Sequence, residues 1–382
     1  MIPYGRQSIS QQDIDAVTDV LQSDFLTQGP QVPRFEANIA AFTHSKFAVA
    51  GNSATSLLHV ACLALGVTFK DTVWTSPISF VASSNCAVYC GATIDFVDIN
   101  YETANLCPKA LAKKLSQAAL NNSLPKVIIA VHMAGHSCDM QSIAQLARQY
   151  GVKVIEDAAH AIGGRYLDFP IGSCQFSDIT VFSFHPVKII TTGEGGVATT
   201  NDAKLAEAMK RSCSHGITKQ SEELINSDEG DWYYEQQSLG FNYRITDLQA
   251  ALGNSQLSSL ESFVEKRNSL AKRYVERLKN TNVQIVLPLE ETVSAYHLFI
   301  VLLPQKVDRK EVFNEMRQAG IGVHVHYIPI HLQPFYQELG FTKGDFPQAE
   351  SYYQSCLTLP IFPSLTEIEQ DLICEKLKGL LN

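Results

Sequence analysis

Short apolar runs alternate with amphipathic stretches along the first two-thirds of the chain. Phe47 to Ala50, Asp71 to Thr75, Thr93 to Val97, Val127 to Val131, Val152 to Ile155, Ile179 to Phe184 and Val197 to Thr199 are short and largely apolar. That pattern predicts strands buried on both faces, as in a parallel sheet. Between them, residues 57–65, 109–120, 139–149 and 202–211 repeat their apolar positions at helical spacing. Ahead of the first strand, Ser10 caps a predicted helix over 11–23, with Asp13 completing a capping box and Ile14, Val17, Val20 and Leu21 on one face. Pro33 opens a second predicted helix with Phe35, Ile39 and Phe42 as its apolar stripe. Strand and helix alternating at this spacing predict a doubly wound α/β sheet.

The pattern changes after residue 211. Residues 212–239 have little periodicity and carry Glu222, Glu223, Asp228, Glu229, Asp231 and Glu235 around Trp232, Tyr233 and Tyr234. An acidic loop of that length with three aromatic residues in a row is expected to pack against something. From Asp247 to Leu278 an amphipathic pattern predicts one long helix bridging into a smaller unit. Strand-like Val283 to Val286, His297 to Leu303 and Gly322 to Tyr327, with helices over 309–318 and 366–380, give that unit an α+β character. The expected division is an arm over 1–12, a large domain over 13–250 and a small C-terminal domain over 251–382.

The 382 residues carry a formal charge of -9 with no basic cluster, which argues against a broad nucleic-acid surface. A diphosphate remains within reach of a few local donors, because net charge does not constrain a pocket. Nine cysteines, odd in number and scattered through apolar segments, read as cytoplasmic thiols rather than a disulfide framework. Cys86 and Cys90 have i,i+4 spacing, which is at most half of a metal site. The start of the chain lacks a charged and apolar leader, and no run is long enough to span a membrane.

Candidate chemistry gathers at the strand ends. The Val152 run ends at Glu156 and Asp157, the Ile179 run at His185 and Lys188, and Gly193 to Gly196 turns the chain back. Open α/β sheets place ligands at such ends. Ile189 and Ile190 follow Lys188, and no acid is nearer in sequence than Glu194, so partial desolvation would lower the lysine pKa toward a nucleophilic range. The plain alternative is a solvated loop lysine. Gly51 to Thr55 between strand and helix offers either a phosphate site or an ordinary capped helix. His132 and His136 have zinc-like spacing but sit in a turn without the expected glutamate; His324 and His326 share a strand face without a third ligand. An acid for a pyridine nitrogen, a lysine for an aldehyde and small residues for a phosphate together compose a pyridoxal phosphate site, with no metal.

The segment S-F-H-P-V-K-I-I-T-T-G-E-G-G, with E-D-A-A-H, G-N-S-A-T and G-F-N-Y-R-I-T-D-L-Q-A-A-L-G, resembles the DegT/DnrJ/EryC/StrS sugar aminotransferases over nearly the whole chain. The resemblance implies a fold-type I enzyme with a large, mixed, mostly parallel sheet domain and a smaller α+β domain. It implies that Lys188 anchors pyridoxal 5'-phosphate and then acts as base, and that Asp157 pairs with the ring nitrogen. His160 would lie near the ring hydroxyl, and Ser183, Ala54 and Thr55 near the phosphate. Alanine at 54, where the family often has glycine, leaves the N–H available. Composition alone makes Phe80 a core residue, whereas the resemblance stacks it on the pyridine ring. Tyr4, His185, His326 and Tyr327 are implied at the substrate. Asn242 and the 212–239 loop are implied to reach a second subunit, giving a homodimer with shared active sites.

Within the family, Y-G-R-Q-S-I, S-D-F-L-T-Q-G-P and T-S-P-I-S-F-V-A-S-S-N resemble the branch that aminates a UDP-linked 4-keto-6-deoxy sugar toward pseudaminic acid, with L-glutamate as donor. Three other readings compete with this one. A related dehydratase replaces the anchoring lysine by histidine, and Lys188 stands against it. A cysteine desulfurase needs a cysteine in a mobile loop. A non-catalytic scaffold on the same fold would not need Lys188 and Asp157.

Overall fold

A computed structural model describes residues 1–226 and 229–381, so Asp228 of the acidic stretch lies outside the described residues. The predicted strands assemble into one seven-stranded sheet. Its members are β1 (Phe47–Gly51), β2 (Thr72–Thr75), β3 (Thr93–Phe96), β4 (Val127–Val131) and β5 (Lys153–Asp157). After a small hairpin of β6 (Arg165–Tyr166) and β7 (Phe169–Pro170) come β8 (Ile179–Ser183) and β9 (Gly196–Thr200). The order across the sheet is β1-β9-β8-β5-β4-β2-β3. Strands β3, β2, β4, β5 and β8 pair in parallel, while β9 runs against both β8 and β1.

Burial on both faces explains the continuous apolar runs. Val127, Ile129, Ile155 and Val181 face helices α3 (Ala54–Ala64), α4 (Ala82–Tyr89) and α7 (Ala203–Cys213). On the other face Ile128, Ala130 and Val154 pack under α5 (Pro108–Leu120) and α6 (Met140–Tyr150), and Phe182 under α2 (Gln31–Thr43). The first helix, α1 (Gln11–Leu21), has the expected Ser10–Asp13 capping box, and Asp13 is buried because Gln256 Nε2 donates to it at 2.7 Å. Helix α2 begins two residues before Pro33, which its first turn tolerates because those N–H groups have no intrahelical partner. Helix α3 likewise starts at Ala54 rather than Leu57, so the small-residue turn is its first turn.

The predicted long bridging helix is two: α8 (Asp247–Leu257) and α9 (Leu260–Leu278). Ser258 folds its hydroxyl back onto the Ser255 carbonyl at 2.6 Å, and Ser259 N–H bonds Gln256 O at 3.0 Å, which tightens the turn and breaks the ladder. The acidic stretch between α7 and α8 contains the two-residue strands β10 (Ile217–Thr218) and β11 (Glu235–Gln236), while Trp232 and Tyr234 remain exposed in this chain. Beyond α9, β12 (Gln284–Ile285) pairs with β14 (Phe299–Leu302), and β13 (Thr292–Val293) joins the hairpin of β6 and β7. Helices α10 (Arg309–Gln318), α11 (Pro334–Glu338), α12 (Pro347–Ser355) and α13 (Glu367–Leu381), with β15 (Cys356–Leu359) beside β14, complete the C-terminal α+β unit.

Gly322 to Tyr327 is not the predicted strand. It makes only an isolated bridge, between His324 and Thr358, because the N-terminal segment occupies its edge: Gly322 N–H donates to Ile2 O at 2.7 Å. Among the described residues no helix is long and apolar enough to cross a membrane.

One polar anchor ties the segment between α1 and α2 to the rest. The Asp247 carboxylate is buried and accepts from the N–H groups of Gly29, Gln31 and Val32 at 3.0, 3.1 and 3.3 Å. Asp247→Ala leaves these donors unpaired and is expected to lower stability by about 2–3 kcal/mol, read from the urea midpoint at unchanged slope.

Candidate active site

The parallel register sets two chemical groups side by side. In β5, Asp157 is the last residue and pairs across the sheet with Val131 of β4 and Val181 of β8. Strand β8 ends two residues later, and the chain turns so that Lys188 enters the same space. Successive residues of a strand face opposite ways, so Glu156 and Asp157 part company. Glu156 goes to a buried cluster, bonded to His132 Nε2 at 2.7 Å, Ser177 Oγ at 2.5 Å and Thr180 Oγ1 at 3.1 Å. Asp157 alone lines the cavity.

That cavity has a volume of about 460 Å³. It lies between the first turns of α3 and α4, the ends of β4, β5 and β8, and residues 324–327. Ser83 Oγ donates to Asp157 Oδ2 at 2.6 Å, and the Ala159 N–H donates to Oδ1 at 3.1 Å. Ser79 Oγ stands 2.6 Å from Ser83 Oγ. Two donors therefore fix the direction of the carboxylate. Removal from water brings the Lys188 ammonium down to about 8, with the Asp157 charge opposing that shift. The lysine is thus not the solvated loop residue of the plain reading.

At the opposite wall, Ser53 caps α3 through the Ser56 N–H at 3.1 Å, which leaves the N–H groups of Ala54 and Thr55 as open helix-end donors on the cavity. Gly196 lets this end approach the sheet: a Cβ there would come within 2.7 Å of both Ala54 N and Phe182 O. Ser183 lines the same wall. An acid, a desolvated amine and a helix end are the groups that pyridoxal phosphate requires for its ring nitrogen, aldehyde and phosphate, so the residues fit it.

The remaining expected residues fall as follows. His160 is buried, with Nε2 3.3 Å from the Tyr327 hydroxyl, and burial followed by the Lys188 charge holds its imidazole well below the usual range. Burial holds His326 well below its usual range as well, and its Nδ1 lies 2.8 Å from Thr358 Oγ1. Tyr4 lies against both His324 and His326, with ring centroids 5.4 and 5.5 Å away. His185 is exposed at the rim, 4.0 Å from Glu194. Phe80 is 59% exposed at the wall, which overturns the composition-based reading of it as core. Asn242 does not line this chain's cavity; it is exposed, with its carbonyl taking a bond from Asn52 Nδ2 at 3.4 Å.

Ser83, Ser79, Glu194 and His324 line the cavity without having been singled out for it. The only available signal for Ser83 was its place one turn beyond Phe80; nothing local links it to Asp157. The histidines of the H-x-x-x-H turn are absorbed elsewhere, His132 by Glu156 and His136 Nδ1 by Ser294 Oγ at 2.7 Å.

Comparison with known proteins gives the same chemistry. The model of the DegT/DnrJ/EryC1/StrS aminotransferase family matches residues 7–378. The spore coat polysaccharide biosynthesis protein SpsC of Bacillus subtilis is 36% identical over all of this chain and 97% of its own length. A UDP-4-amino-4,6-dideoxy-N-acetyl-beta-L-altrosamine transaminase of Campylobacter jejuni is 35% identical over all of this chain and 98% of its own. The solved structure of Helicobacter pylori PseC, an aminotransferase involved in pseudaminic acid biosynthesis, superposes with a TM-score of 0.91 at 32% identity, covering 100% and 99% of the two chains. Spr1654 of Streptococcus pneumoniae, 28% identical, is solved in PMP and PLP forms with TM-scores of 0.90 and 0.89, covering all of this chain and 99% and 98% of its own.

Two outcomes follow from the geometry. With a lysine pKa near 8, the rate at which the apoprotein takes up pyridoxal phosphate should rise about tenfold per pH unit on approach to pH 8 and level off above it, followed by cofactor absorbance. Ser83→Ala removes a hydrogen bond to a charged acceptor and should lower kcat about 10- to 100-fold with little change in the KM of the amino donor. Matched to the family model over nearly its whole length, this chain belongs to the DegT/DnrJ/EryC1/StrS aminotransferase family and is a pyridoxal phosphate-dependent aminotransferase.

Proposed function

We propose that this enzyme moves the amino group of L-glutamate to C4 of a UDP-linked 4-keto-6-deoxy-N-acetylhexosamine, giving UDP-4-amino-4,6-dideoxy-N-acetyl-β-L-altrosamine. The observation that carries this reading is the end-to-end similarity to the Campylobacter jejuni transaminase named for that product, supported by the likeness to Helicobacter pylori PseC. Similarity to SpsC at a comparable level favours, as a second reading, another UDP- or dTDP-linked 4-keto-6-deoxy sugar.

Bound pyridoxal phosphate supplies an electron sink for the carbon that loses its proton. The chain's own residues do the rest. Asp157, aimed by Ser83 and Ala159, keeps a proton on the ring nitrogen. The Ala54 and Thr55 N–H groups and the Ser183 hydroxyl would hold the phosphate, Phe80 would cover the ring, and His160 would stand by the ring hydroxyl, all five residues lining the cavity. Lys188 Nζ, neutral in a useful fraction near pH 8, removes the α proton of the donor amino acid and returns one to C4 of the sugar. Its fixed position beside the reacting carbon replaces a bimolecular encounter. Tyr4, His185, His326 and Tyr327 line the path of the nucleotide sugar. Asn242 and the exposed Trp232 and Tyr234 are assigned to a second copy of the chain, completing a homodimer whose two sites are shared.

The test is a two-step spectrum of the holoenzyme. L-Glutamate is expected to convert the cofactor to its amine form, and UDP-4-keto-6-deoxy-N-acetylaltrosamine to restore the original absorbance. Restoration by a dTDP-linked keto sugar alone would sink the proposed substrate while leaving the reaction class intact.

A further inference from the structure

Helix α4 carries Ser83, the residue that aims Asp157, yet it has little bulk with which to fix its own rotation. Its buried residues are Ala82, Ser83, Ser84, Cys86 and Ala87, all small. Most helices are held about their axes by large side chains that interlock with their neighbours. Here polar bonds supply what bulk does not. Toward the cavity, Ser83 Oγ gives its one proton to the Asp157 carboxylate at 2.6 Å, so at the 2.6 Å contact between Ser79 and Ser83 the donor is Ser79. Toward the C-terminal unit, the Tyr336 hydroxyl of α11 donates to Asn85 Oδ1 at 2.6 Å. The phenol oxygen is then the acceptor for Ser84 Oγ at 2.5 Å, the shorter of that hydroxyl's two contacts; the other is the Val81 carbonyl at 3.0 Å.

Tyr336 is itself firmly held. It is buried, its N–H bonds the Gln333 carbonyl at 2.9 Å, and its ring meets Phe96 and Phe335 edge-on at 5.9 and 5.3 Å. A second bond joins the same two segments: the Ile330 N–H donates to the Pro77 carbonyl at 2.8 Å. Residues 77–85, which include Ser79, Phe80 and Ser83 of the cavity wall, are thus bracketed by Ile330 at one end and Tyr336 at the other. Tyr336 does not line the cavity, and no step at Lys188 uses it.

We propose that Tyr336 is a positioning residue of the active site: by holding Ser84 and Asn85 it fixes the rotation of α4 and keeps the Ser83 hydroxyl on Asp157. The lever is short. A hydroxyl roughly 4 Å from a helix axis moves about 0.7 Å for each 10° of rotation, which carries a 2.6 Å contact past the usual O–H···O range. Through this clamp the C-terminal unit sets the direction of a carboxylate at the end of β5, in the large domain. Because Tyr336 reaches Asp157 only by way of Ser83, its contribution disappears when the Ser83 hydroxyl is absent.

The test is a double-mutant cycle of Tyr336→Phe, which removes the hydroxyl and keeps the ring, with Ser83→Ala. Two quantities are read: the dissociation constant of pyridoxal phosphate from absorbance titration of the apoprotein, and the single-turnover rate of the loaded enzyme at saturating L-glutamate. With Ser83 present, Tyr336→Phe is expected to weaken cofactor binding and to slow the turnover about tenfold each. In the Ser83→Ala background it should change either quantity by less than about twofold. If Tyr336→Phe does not hold the cofactor, Ser84→Ala, which removes one of the two bonds to the phenol, takes its place in the same cycle. Should L-glutamate not react with the parent enzyme, the donor assignment fails and cofactor binding alone decides this proposal. Equal losses in both backgrounds would mean that Tyr336 only stabilises the fold, and an unchanged cofactor affinity in Tyr336→Phe would mean that α4 does not depend on the clamp; either result overturns the proposal.

Discussion

Holding a lysine amine largely out of water, within the field of a carboxylate at the end of the next strand, is the constraint on which this structure turns. Burial favours the neutral amine and Asp157 favours the ammonium; burial wins, leaving Lys188 at about 8. The balance requires both side chains in one cavity without a close ion pair, and the parallel pairing of β5 with β8 provides it. Strand β9, antiparallel to both neighbours, then carries Gly196 against the first turn of α3, so the helix end faces the same space.

The surrounding wall is kept mostly uncharged. His160, His297 and His326 are all held well below the usual histidine range by burial, with the Lys188 charge adding to it. The His160 and His297 rings lie 4.4 Å apart. Arg267, fully buried, is held by carbonyls rather than by an acid, through one of its nitrogens: Nη1 donates to Tyr296 O at 3.1 Å, Ile361 O at 3.0 Å and His297 O at 3.4 Å. It ties α9 to the segment that presents His297 to His160. Apart from Glu194, which is mostly exposed beside His185 at the rim, the cavity's fixed charges are one amine and one carboxylate, which directs its electrostatics at the reacting atoms rather than spreading them over the wall.

Much of this was legible along the chain, for a definite reason. Parallel strands buried on both faces must be apolar until they emerge, so Asp157, His185 and Lys188 stood out as polar residues where apolar runs stop. That Asp157 rather than Glu156 serves the site came from the family resemblance alone, because the orientation of the pair depends on His132 from β4's end, which takes up Glu156. The link from Ser83 to Asp157 spans 74 residues and had no local signal. The break between α8 and α9 rests on a serine bonding its own backbone, which an amphipathic pattern does not register. Gly322 to Tyr327 has a strand's alternation, yet its edge belongs to Ile2 from the other end of the chain.

The central claim is that Lys188 is the amine that carries the cofactor. Borohydride reduction of the loaded enzyme, followed by peptide mass mapping, tests it most directly. The account predicts a phosphopyridoxyl group on the peptide containing Lys188 and its loss in Lys188→Ala. A modified lysine elsewhere, or an unmodified Lys188 peptide from fully loaded enzyme, would contradict it.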